Sequence, residues 1–195
     1  MADEGVRILS EDVLSDEWAR LTRYTLERQF RDGSRRREVR QIYDRGNGAA
    51  VLPIDRARGT VLLVRQFRLP VWLNPAAADE ADGMLLEVCA GLDEGRDSET
   101  TVRREAEEEL GYRLGAIELI GDVHMSPGSL AERLALFVAA YTPADRISEG
   151  GGLAKEGEDI AVIEMPLAEA FALMAAGKIT DAKTVILLQH VKLTG

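Results

Sequence analysis

The first 45 residues contain short runs in which apolar and polar positions alternate, the pattern of β-strands. Residues 18–30 are rich in aromatic and branched side chains, and a similar pattern returns at residues 38–43. Between the two runs, Asp32-Gly33-Ser34 supplies residue types that favour a tight turn. The pattern therefore predicts an N-terminal antiparallel hairpin.

A second pair of apolar runs follows the glycine-rich breaker at residues 46–48. Residues 49–54 and 60–68 lie on either side of a turn at Arg58-Gly59, and they predict a second hairpin that faces a core. Residues 74–83 contain a proline, three alanines and several acids, a composition that favours a surface loop.

The second half of the chain combines strands and helices. Asp97 or Ser98 is a suitable N-cap and Gly111 a suitable stop, which predicts a helix between them. The remaining runs predict strands at residues 85–89, 116–123, 131–141 and 160–163, and helices at residues 166–177 and 183–192. Strands first, one helix in the middle and helices at the end predict an α+β fold, with a mixed β-sheet sandwiched between helices.

Composition narrows the functional classes. The 195 residues include 24 basic and 34 acidic side chains, a net charge of −10, which argues against nucleic acid as a partner. The single cysteine, Cys89, excludes an intrachain disulfide, and the N-terminus lacks the pattern of a signal peptide. The longest apolar run, residues 134–141, is too short to cross a membrane. We therefore expect a soluble, cytoplasmic protein with no membrane partner.

The predicted middle helix carries a concentration of carboxylates. Glu105, Glu108 and Glu109 are three and four residues apart, so an α-helix places all three on one face. Glu107 is off that face and should point elsewhere. Like charges at this spacing repel one another, and a hard divalent cation such as Mg²⁺ or Mn²⁺ reverses that cost. The spacing alone leaves two interpretations, a solvated acidic face and a metal site.

The sequence around these glutamates, RREAEEELGY, contains the second half of a Nudix box, with matching residues at Arg104, Glu105, Glu108, Glu109 and Gly111. The first half departs from the pattern, because Gly91 lies one residue too close and Arg96 stands where the family usually has a glutamate. Further motifs, YDRGNGA, VRQFR, CAGL, MSPG, EGEDI and ITDAKTVILL, extend the similarity to nearly the whole chain. The chain resembles the branch of the Nudix hydrolases that acts on nucleoside diphosphate sugars.

The resemblance implies a cofactor, Mg²⁺, which Mn²⁺ could replace. The metal ligands that it implies are Ala90 through its backbone carbonyl, Glu105, Glu109 and Glu158. The catalytic residues that it implies are Glu158, Glu108 and Arg104. Arg104 would orient the glutamates, with Glu108 as its expected ion-pair partner one turn on. Glu156 competes with Glu158 for the role of the late acid, and both could be ordinary loop acids.

The resemblance also implies a substrate site, formed by Trp18, Arg40, Gln41, Arg68, Gly91, Leu92, Glu132 and Lys183. Trp18 would stack on the base, or it is buried in its strand. Arg68 would bind phosphate, or it forms a salt bridge at the end of a strand. Lys183 would contact phosphate, or it lies on the exposed face of the last helix.

The reaction implied by the resemblance is Mg²⁺-dependent hydrolysis of the pyrophosphate bond in a nucleoside diphosphate sugar of the GDP-mannose type. ADP-ribose is the alternative substrate, and a non-catalytic module that senses a nucleotide sugar is the alternative function. Residues 1–45 are expected to form a hairpin arm, and residues 46–195 the hydrolase domain. Because two strands are too few to be stable alone, the hairpin from Trp18 to Tyr43 is expected to pack on, or exchange with, a second copy in a homodimer.

Overall fold

The computed structural model describes residues 5–76 and 80–194. Part of the loop predicted at residues 74–83, namely residues 77–79, lies outside the described residues. Within the described parts of the chain, no helix has the length and apolar character needed to cross a membrane.

The chain divides into two compact units. The smaller unit contains residues 5–47 and 124–133, and the larger unit contains the described residues of 48–123 and 134–194. This division falls two residues after the expected boundary at residue 45. It also assigns to the smaller unit a segment from the second half of the chain.

The smaller unit contains a three-stranded antiparallel sheet. Its strands are β1 (Val6–Asp16), β2 (Arg20–Gln29) and β3 (Arg35–Asp44), in the order β1-β2-β3. Strands β2 and β3 form the predicted hairpin. Asp32 shapes its turn by accepting hydrogen bonds from the Ser34 N–H at 2.9 Å and from the Ser34 hydroxyl at 2.6 Å. The predicted hairpin is therefore confirmed as two strands of a larger sheet.

Strand β1 is absent from the prediction, and its irregular pairing explains why. Its register with β2 shifts between Ile8 and Ser10 and again between Val13 and Ser15. A bulge inserts an extra residue, so apolar positions no longer alternate with a period of two. The large apolar side chains of β1 are also 39% to 56% exposed. The alternation that identifies a half-buried strand is therefore missing.

The larger unit is built on a seven-stranded sheet. Its strands are β4 (Gly48–Asp55), β5 (Thr60–Phe67), β6 (Met84–Glu87), β7 (Cys89–Leu92), β8 (Ile117–His124), β9 (Arg133–Ala140) and β10 (Ala161–Pro166). The order is β10-β5-β4-β9-β8, with β6 paired to β5 and β7 paired to β4. Strands β4 and β9 are parallel, whereas β4 and β5 are antiparallel, so the sheet is mixed as predicted.

A change of partner splits one predicted strand in two. The sequence pattern predicts a strand over residues 85–89, but β6 pairs with β5 and β7 pairs with β4. Val88 lies between them, and its N–H donates to the Thr184 hydroxyl at 2.9 Å instead of to the sheet. As a result, Glu87 ends one strand and Cys89 begins the next.

The helices of the larger unit are α1 (Leu69–Leu73), α2 (Ser98–Glu105), α3 (Leu167–Ala175) and α4 (Ala182–Thr194), and 3₁₀ turns occupy Pro143–Asp145 and Ala154–Glu156. Helix α2 continues into a π-helical segment, Ala106–Leu110. Asp97 caps α2 by accepting from the Thr100 N–H at 2.9 Å, and Gly111 ends the π-helical segment with a left-handed φ of 77°. Asp181 caps α4 as predicted, because its Oδ2 accepts from the Thr184 N–H at 3.0 Å.

Strand β4 lies at the centre of the core, and all of its residues are buried. On one face, Ala49 and Val51 belong to a buried cluster that includes Val102 of α2. Successive strand residues point to opposite faces, so Ala50 faces the other way. Helix α4 contacts β4, and its buried Leu187 lies outside that cluster. The sheet is therefore sandwiched between helices, which confirms the α+β prediction.

Candidate active site

The acidic helix differs from the predicted one in its last turn. Helix α2 ends at Glu105, and the next three glutamates lie on the π-helical segment. A π-helix adds a residue to each turn, so the spacing that predicts a single acidic face does not hold beyond Glu105. Glu105 and Glu109 are buried and Glu108 is half-buried. Glu107 is exposed and pairs with Arg113 at 3.4 Å, so the prediction that it points elsewhere is confirmed.

Glu105 lies against the backbone of β7. A Cβ atom added to Gly91 would overlap with the Glu105 carboxylate, so a larger residue at position 91 would displace it. Gly91 pairs with Ala49 in the sheet, and Leu92, the next residue, pairs with Gly48. The glycine identified from the sequence therefore makes room for a carboxylate.

Arg104 holds two of the carboxylates. Its Nη1 donates to Glu108 Oε2 at 2.5 Å, and its Nη2 donates to Glu105 Oε1 at 2.6 Å. The predicted ion pair with Glu108 is confirmed, and the one with Glu105 is additional. The Arg104 side chain is 29% exposed, so solvent screens these contacts less than it screens a surface pair.

The carboxylate of Glu109 contacts the beginning of β7. The Ala90 N–H donates to Glu109 Oε2 at 3.3 Å, and the buried Cys89 precedes Ala90 in the same strand. Burial is the main cause that raises the pKa of Glu109 to about 8, and the charge of Glu105 adds to it. Burial also raises the pKa of Glu105 to about 7, against the opposing effect of Arg104. Ionising both carboxyl groups is therefore costly without a cation.

This pair of carboxylates suits a hard divalent cation. A cation beside them removes the penalty of two buried negative charges, and both supply oxygen donors. Across residues 5–76 and 80–194, no three acidic, histidine or cysteine side chains form a closed metal cluster. This arrangement fits Mg²⁺, which binds one or two carboxylates and fills its remaining positions with water and phosphate oxygens.

Three glycines attach the loop of Glu158 to the end of the π-helical segment. The Gly151 N–H donates to the Glu109 carbonyl at 2.8 Å. The Glu158 carboxylate accepts from the Leu153 N–H at 2.7 Å, and a Cβ atom on Gly152 would overlap with it. The glycines therefore permit close packing of this loop on the acidic helix.

Of the two loop acids, Glu158 has the surroundings that suit a site residue. Besides burial, the charge of Glu158 raises the pKa of both Glu105 and Glu109, whereas the charge of Glu156 raises that of Glu105 only. Glu156 is 54% exposed and lies 3.6 Å from the Lys155 ammonium group. The contacts thus favour Glu158 over Glu156.

Two cations meet on one buried carboxylate next to the acidic helix. Arg68 Nε donates to Glu87 Oε1 at 2.6 Å, and Lys183 Nζ forms an ion pair with Glu87 Oε2. Lys183 also donates to Asp181 Oδ1 at 2.8 Å and is buried, so its placement on an exposed helix face is wrong. Arg68 is salt-bridged, as one interpretation predicts, yet its side chain remains 40% exposed. Burial lowers the pKa of Arg68, but the charges of Glu87 and, less strongly, Glu109 raise it, and β5, the strand before Arg68, contacts the segment that carries Glu109.

The loop before α2 keeps a supporting carboxylate. Arg96, which stands at the usual glutamate position, is exposed and pairs with Glu94 at 2.8 Å. Glu94 adopts a left-handed φ of 49°, where the shortened loop turns. Asp97, one residue later, caps the helix through the Thr100 N–H. Two carboxylates therefore hold this loop, Asp97 and also Asp93, which accepts from the Ser98 hydroxyl at 3.0 Å.

In the smaller unit, Trp18 and Glu132 belong to one aromatic and charged cluster. Trp18 lies in the bend between β1 and β2 and is 71% exposed, so the interpretation that it is buried is wrong. Its ring centroid lies 6.5 Å from that of Tyr43 and 5.8 Å from the Arg45 guanidinium carbon. Arg45 Nε donates to the buried Glu132 at 2.7 Å. The cluster presents an aromatic face and a paired charge.

Arg40 and Gln41 lie on β3 of the same unit, and both are exposed. Arg40 pairs with Glu38 at 2.8 Å, and Gln41 stands opposite Arg23 of β2 in the sheet. Their side chains are therefore accessible to a ligand.

Several residues of these clusters are not among those predicted from the sequence. Glu87 is the only charged residue in the apolar run MLLEVCAG, and an acid within a buried strand requires a partner. That signal could have identified Glu87. Tyr43 and Arg45 carry no comparable signal, because exposed aromatic and arginine side chains are common on strands and turns.

Together, the fold and the site define a class of protein. A mixed sheet between helices supports two buried carboxylates that suit a divalent cation, and the same unit contains two cations that suit phosphate, joined by Glu87. This is the combination found in metal-dependent hydrolases of phosphoanhydride bonds.

Comparisons with known proteins agree with this class. Residues 44–188 match the NUDIX domain, and residues 5–43 match the GDP-mannose pyrophosphatase NudK N-terminal domain. The chain therefore belongs to the Nudix family.

Similar proteins cover nearly the whole chain. The chain is 44% identical over 190 residues to a GDP-mannose pyrophosphatase of Pectobacterium atrosepticum, a match that covers 97% of this chain and 95% of the relative. It is also 44% identical to a GDP-mannose pyrophosphatase of Cronobacter sakazakii, over 98% and 97% of the two chains. The crystal structure of an ADP compounds hydrolase shares the fold, with a TM-score of 0.70 and 20% identity over 97% of this chain and 93% of that chain. The predicted enzyme class, a Nudix pyrophosphatase, is thereby confirmed.

Proposed function

We propose that this protein hydrolyses the pyrophosphate bond of a nucleoside diphosphate sugar, releasing a nucleoside monophosphate and a sugar phosphate. The observation that carries this proposal is that the unit with the buried pair Glu105 and Glu109 also holds Arg68 and Lys183 together on the buried carboxylate of Glu87. Such a group combines a cation site with positive charges for two linked phosphates. The names of relatives that are 44% identical over nearly the full length support GDP-mannose as the substrate.

Glu105 and Glu109 would hold the divalent cation, Mg²⁺ or its substitute Mn²⁺, with the Ala90 backbone carbonyl as a further oxygen donor. When bound, this ion neutralises charge on the pyrophosphate and stabilises the charge that develops during cleavage. Arg104 keeps Glu105 and Glu108 in fixed orientations through its two hydrogen bonds. Enzymes of the Nudix family generally use a divalent metal ion, which agrees with these roles.

Glu158 is the proposed base for the attacking water. In the described residues it forms no ion pair, and its carboxylate accepts a single N–H, from Leu153. It can therefore take a proton from water while it lies near Glu105 and Glu109. Glu108 is the alternative base, but one of its carboxylate oxygens already accepts a hydrogen bond from Arg104 at 2.5 Å.

The remaining residues are proposed to bind the substrate. Arg68 and Lys183 would contact the phosphates, and the backbone of Gly91 and Leu92 would add further contacts. In the smaller unit, the proposed residues are Trp18 for stacking on the base, Arg40 and Gln41 for contacts to its edge, and Glu132 for the sugar. The exposed ring of Trp18 supports a stacking role.

A homodimer is also part of the proposal, with residues 1–45 as the arm that packs on a second copy. The support is that β1 is an edge strand whose apolar side chains, Val6, Ile8, Leu9, Val13 and Leu14, are 39% to 56% exposed. Exposed apolar strands of this kind favour association. Sedimentation at micromolar concentration should show a species of twice the 21.4 kDa chain mass. A species of single mass alone would contradict the dimer.

A hydrolysis panel tests the reaction. GDP-mannose, ADP-ribose and other nucleotide sugars are each incubated with Mg²⁺, and the products are identified by mass. Release of GMP and mannose 1-phosphate from GDP-mannose would support the proposal. A preference for ADP-ribose would show that ADP-ribose, and not GDP-mannose, is the substrate. Tight binding of a nucleotide sugar without hydrolysis of any member would favour the sensing module instead.

A further inference from the structure

The carboxylate that joins Arg68 to Lys183 is a separate feature of this site. Glu87 is the last residue of β6 and is only 1% exposed. Oε1 accepts from Arg68 Nε at 2.6 Å, and Oε2 pairs with Lys183 Nζ. Arg68 follows β5, and Lys183 lies in the first turn of α4. One buried carboxylate thus fixes cations that come from two separate elements.

Both cations keep hydrogen-bond donors for a ligand. Glu87 uses Nε of Arg68, and neither Nη nitrogen donates a hydrogen bond to another described residue. The Lys183 ammonium has three donors, and its contacts to Glu87 and Asp181 use two of them. The contacts to Glu87 therefore orient both groups and leave N–H donors on each of them for a ligand.

Glu87 also offsets the desolvation of these cations. Burial lowers the pKa of Lys183, but the charges of Glu87 and Asp181 raise it by more. The same two influences, burial and the charge of Glu87, act on the pKa of Arg68, with a net rise. Both groups therefore stay positively charged beside the acidic helix.

We infer that Glu87 is a positioning residue for substrate binding, which holds Arg68 and Lys183 together so that they bind adjacent phosphates of a diphosphate. The inference rests on the proposed function and adds a residue that acts through two others. Without Glu87, two long cationic side chains repel each other and must be ordered by the substrate itself. A preorganised pair avoids that cost, so the loss of Glu87 is expected to weaken binding.

The test compares Glu87→Gln with Asp55→Asn. Asp55 is a buried carboxylate in the turn between β4 and β5, where it accepts the N–H groups of Ala57 and Arg58 at 3.0 Å. Glu87→Gln should raise KM for GDP-mannose by about 10- to 100-fold, the scale of a charged hydrogen bond. The Mg²⁺ concentration for half-maximal activity should stay within about 2-fold, because these contacts lie outside the carboxylate pair. Asp55→Asn should leave KM unchanged even if it lowers thermal stability.

A second comparison separates positioning from general stabilisation. If Glu87 acts through Arg68, the double variant of Glu87→Gln and Arg68→Ala should raise KM by much less than the product of the two single effects. A multiplicative effect would overturn the inference. Glu87→Asp keeps the charge but is too short to reach both cations, so it should give an intermediate KM. If Glu87→Gln does not fold, a wild-type KM for Glu87→Asp would overturn the inference by itself.

Binding of inorganic pyrophosphate distinguishes this inference from the proposed reaction. Pyrophosphate should raise the melting temperature of the wild type and of Asp55→Asn, and it should have little effect on Glu87→Gln. Equal protection of all three proteins would overturn the role of Glu87, whatever the activity. If the wild type hydrolyses no nucleotide sugar but shows this difference, the proposed substrate fails and the role of Glu87 in holding the phosphate-binding cations stands.

Discussion

Glu87 and Glu109 are buried to nearly the same degree, at 1% and 2% exposure, but their surroundings are opposite. Glu87 is paired with two cations, Arg68 and Lys183. Glu109 forms no ion pair with a lysine or arginine in the described chain, and the charge of Glu105 adds to the burial that raises its pKa to about 8. The first carboxylate is balanced within the protein, whereas the second has no lysine or arginine partner in the described chain, so folding favours its protonated form.

The difference shows that the same unit contains one buried carboxylate with cationic partners and one without them. Glu87 joins the end of β6 to Arg68, which follows β5, and to Lys183 in the first turn of α4, and its charge is compensated there. Glu109 is a poor contributor to stability because its ionised form lacks compensation, and the same lack of compensation supports its proposed role as a metal ligand. Four experiments sharpen or break this comparison.

The largest expected effect follows Glu109→Gln. Loss of this carboxylate should lower kcat/KM by about 10²- to 10³-fold and raise the Mg²⁺ concentration needed for half-maximal activity. The reason is that an amide keeps the size of the side chain but not the charge that attracts the cation. Kinetics at several Mg²⁺ concentrations provide the measurement. Glu107→Gln is the matched control, because Glu107 lies on the same segment but is exposed and pairs with Arg113.

A smaller effect is expected for Glu158→Gln. If Glu158 is the base, kcat should fall by roughly 10²-fold while KM and the Mg²⁺ response change much less. Glu156→Gln serves as the control within the same loop, since Glu156 is 54% exposed and pairs with Lys155. Normal turnover for Glu158→Gln together with lost turnover for Glu156→Gln would move the role to Glu156. If neither variant lowers kcat, the proposed base is Glu108 instead.

The pH dependence of the free energy of unfolding should show whether the charge of Glu109 is compensated in the folded protein. The pKa of Glu109 is raised from 4.5 to about 8, so folding favours the protonated carboxyl group. Its stabilising contribution is complete below pH 4.5 and is lost as the pH rises through about 8. In EDTA, Glu109→Gln should therefore melt at least ~2 °C above the wild type at pH 9, the shift for about 1 kcal/mol in a chain of this size.

Added Mg²⁺ provides the control for that melting experiment. It should raise the melting temperature of the wild type at pH 9 and have much less effect on Glu109→Gln. Equal melting temperatures of the two metal-free proteins from pH 5 to pH 9 would contradict the view that Glu109 is uncompensated.

The smallest effect concerns Cys89, the first residue of β7. It is fully buried, and burial together with the nearby charge of Glu109 raises the pKa of the thiol well above its ordinary range. A disulfide reagent such as DTNB should therefore leave the folded protein unlabelled and label one thiol per chain in denaturant. Rapid labelling of the folded protein would show that β7, and with it the support of Glu109, opens readily.

Local chemistry predicts several elements of this fold correctly. Asp97 and Asp181 cap helices, and Gly111 ends one, because capping depends on a few neighbouring residues. The hairpin at Asp32 follows from turn residues in the same way. The pairing of Arg104 with Glu108 could also be predicted, since the two lie one helical turn apart.

Other elements depend on tertiary contacts. The bulges of β1 remove its alternation, and the break at Val88 arises because the chain changes its partner strand there. The π-helical segment replaces an expected α-helical turn, and the Gly151 N–H donates to the carbonyl of Glu109 at its end. Periodicity within a segment does not contain these contacts, because their partners lie far away in the chain.

The sequence by itself determined the class of this protein, since the glutamates, the arginine and the glycine of its box stand close together in the chain. Only the tertiary structure decided which charges are compensated. Glu87 meets Arg68 across 19 residues and Lys183 across 96. Such pairs form because strands and a helix bring residues that are distant in sequence together in the protein interior. The low dielectric constant there strengthens the interaction of a charge with each neighbouring charge. Burial and partner choice are properties of packing, and they separate Glu87 from Glu109.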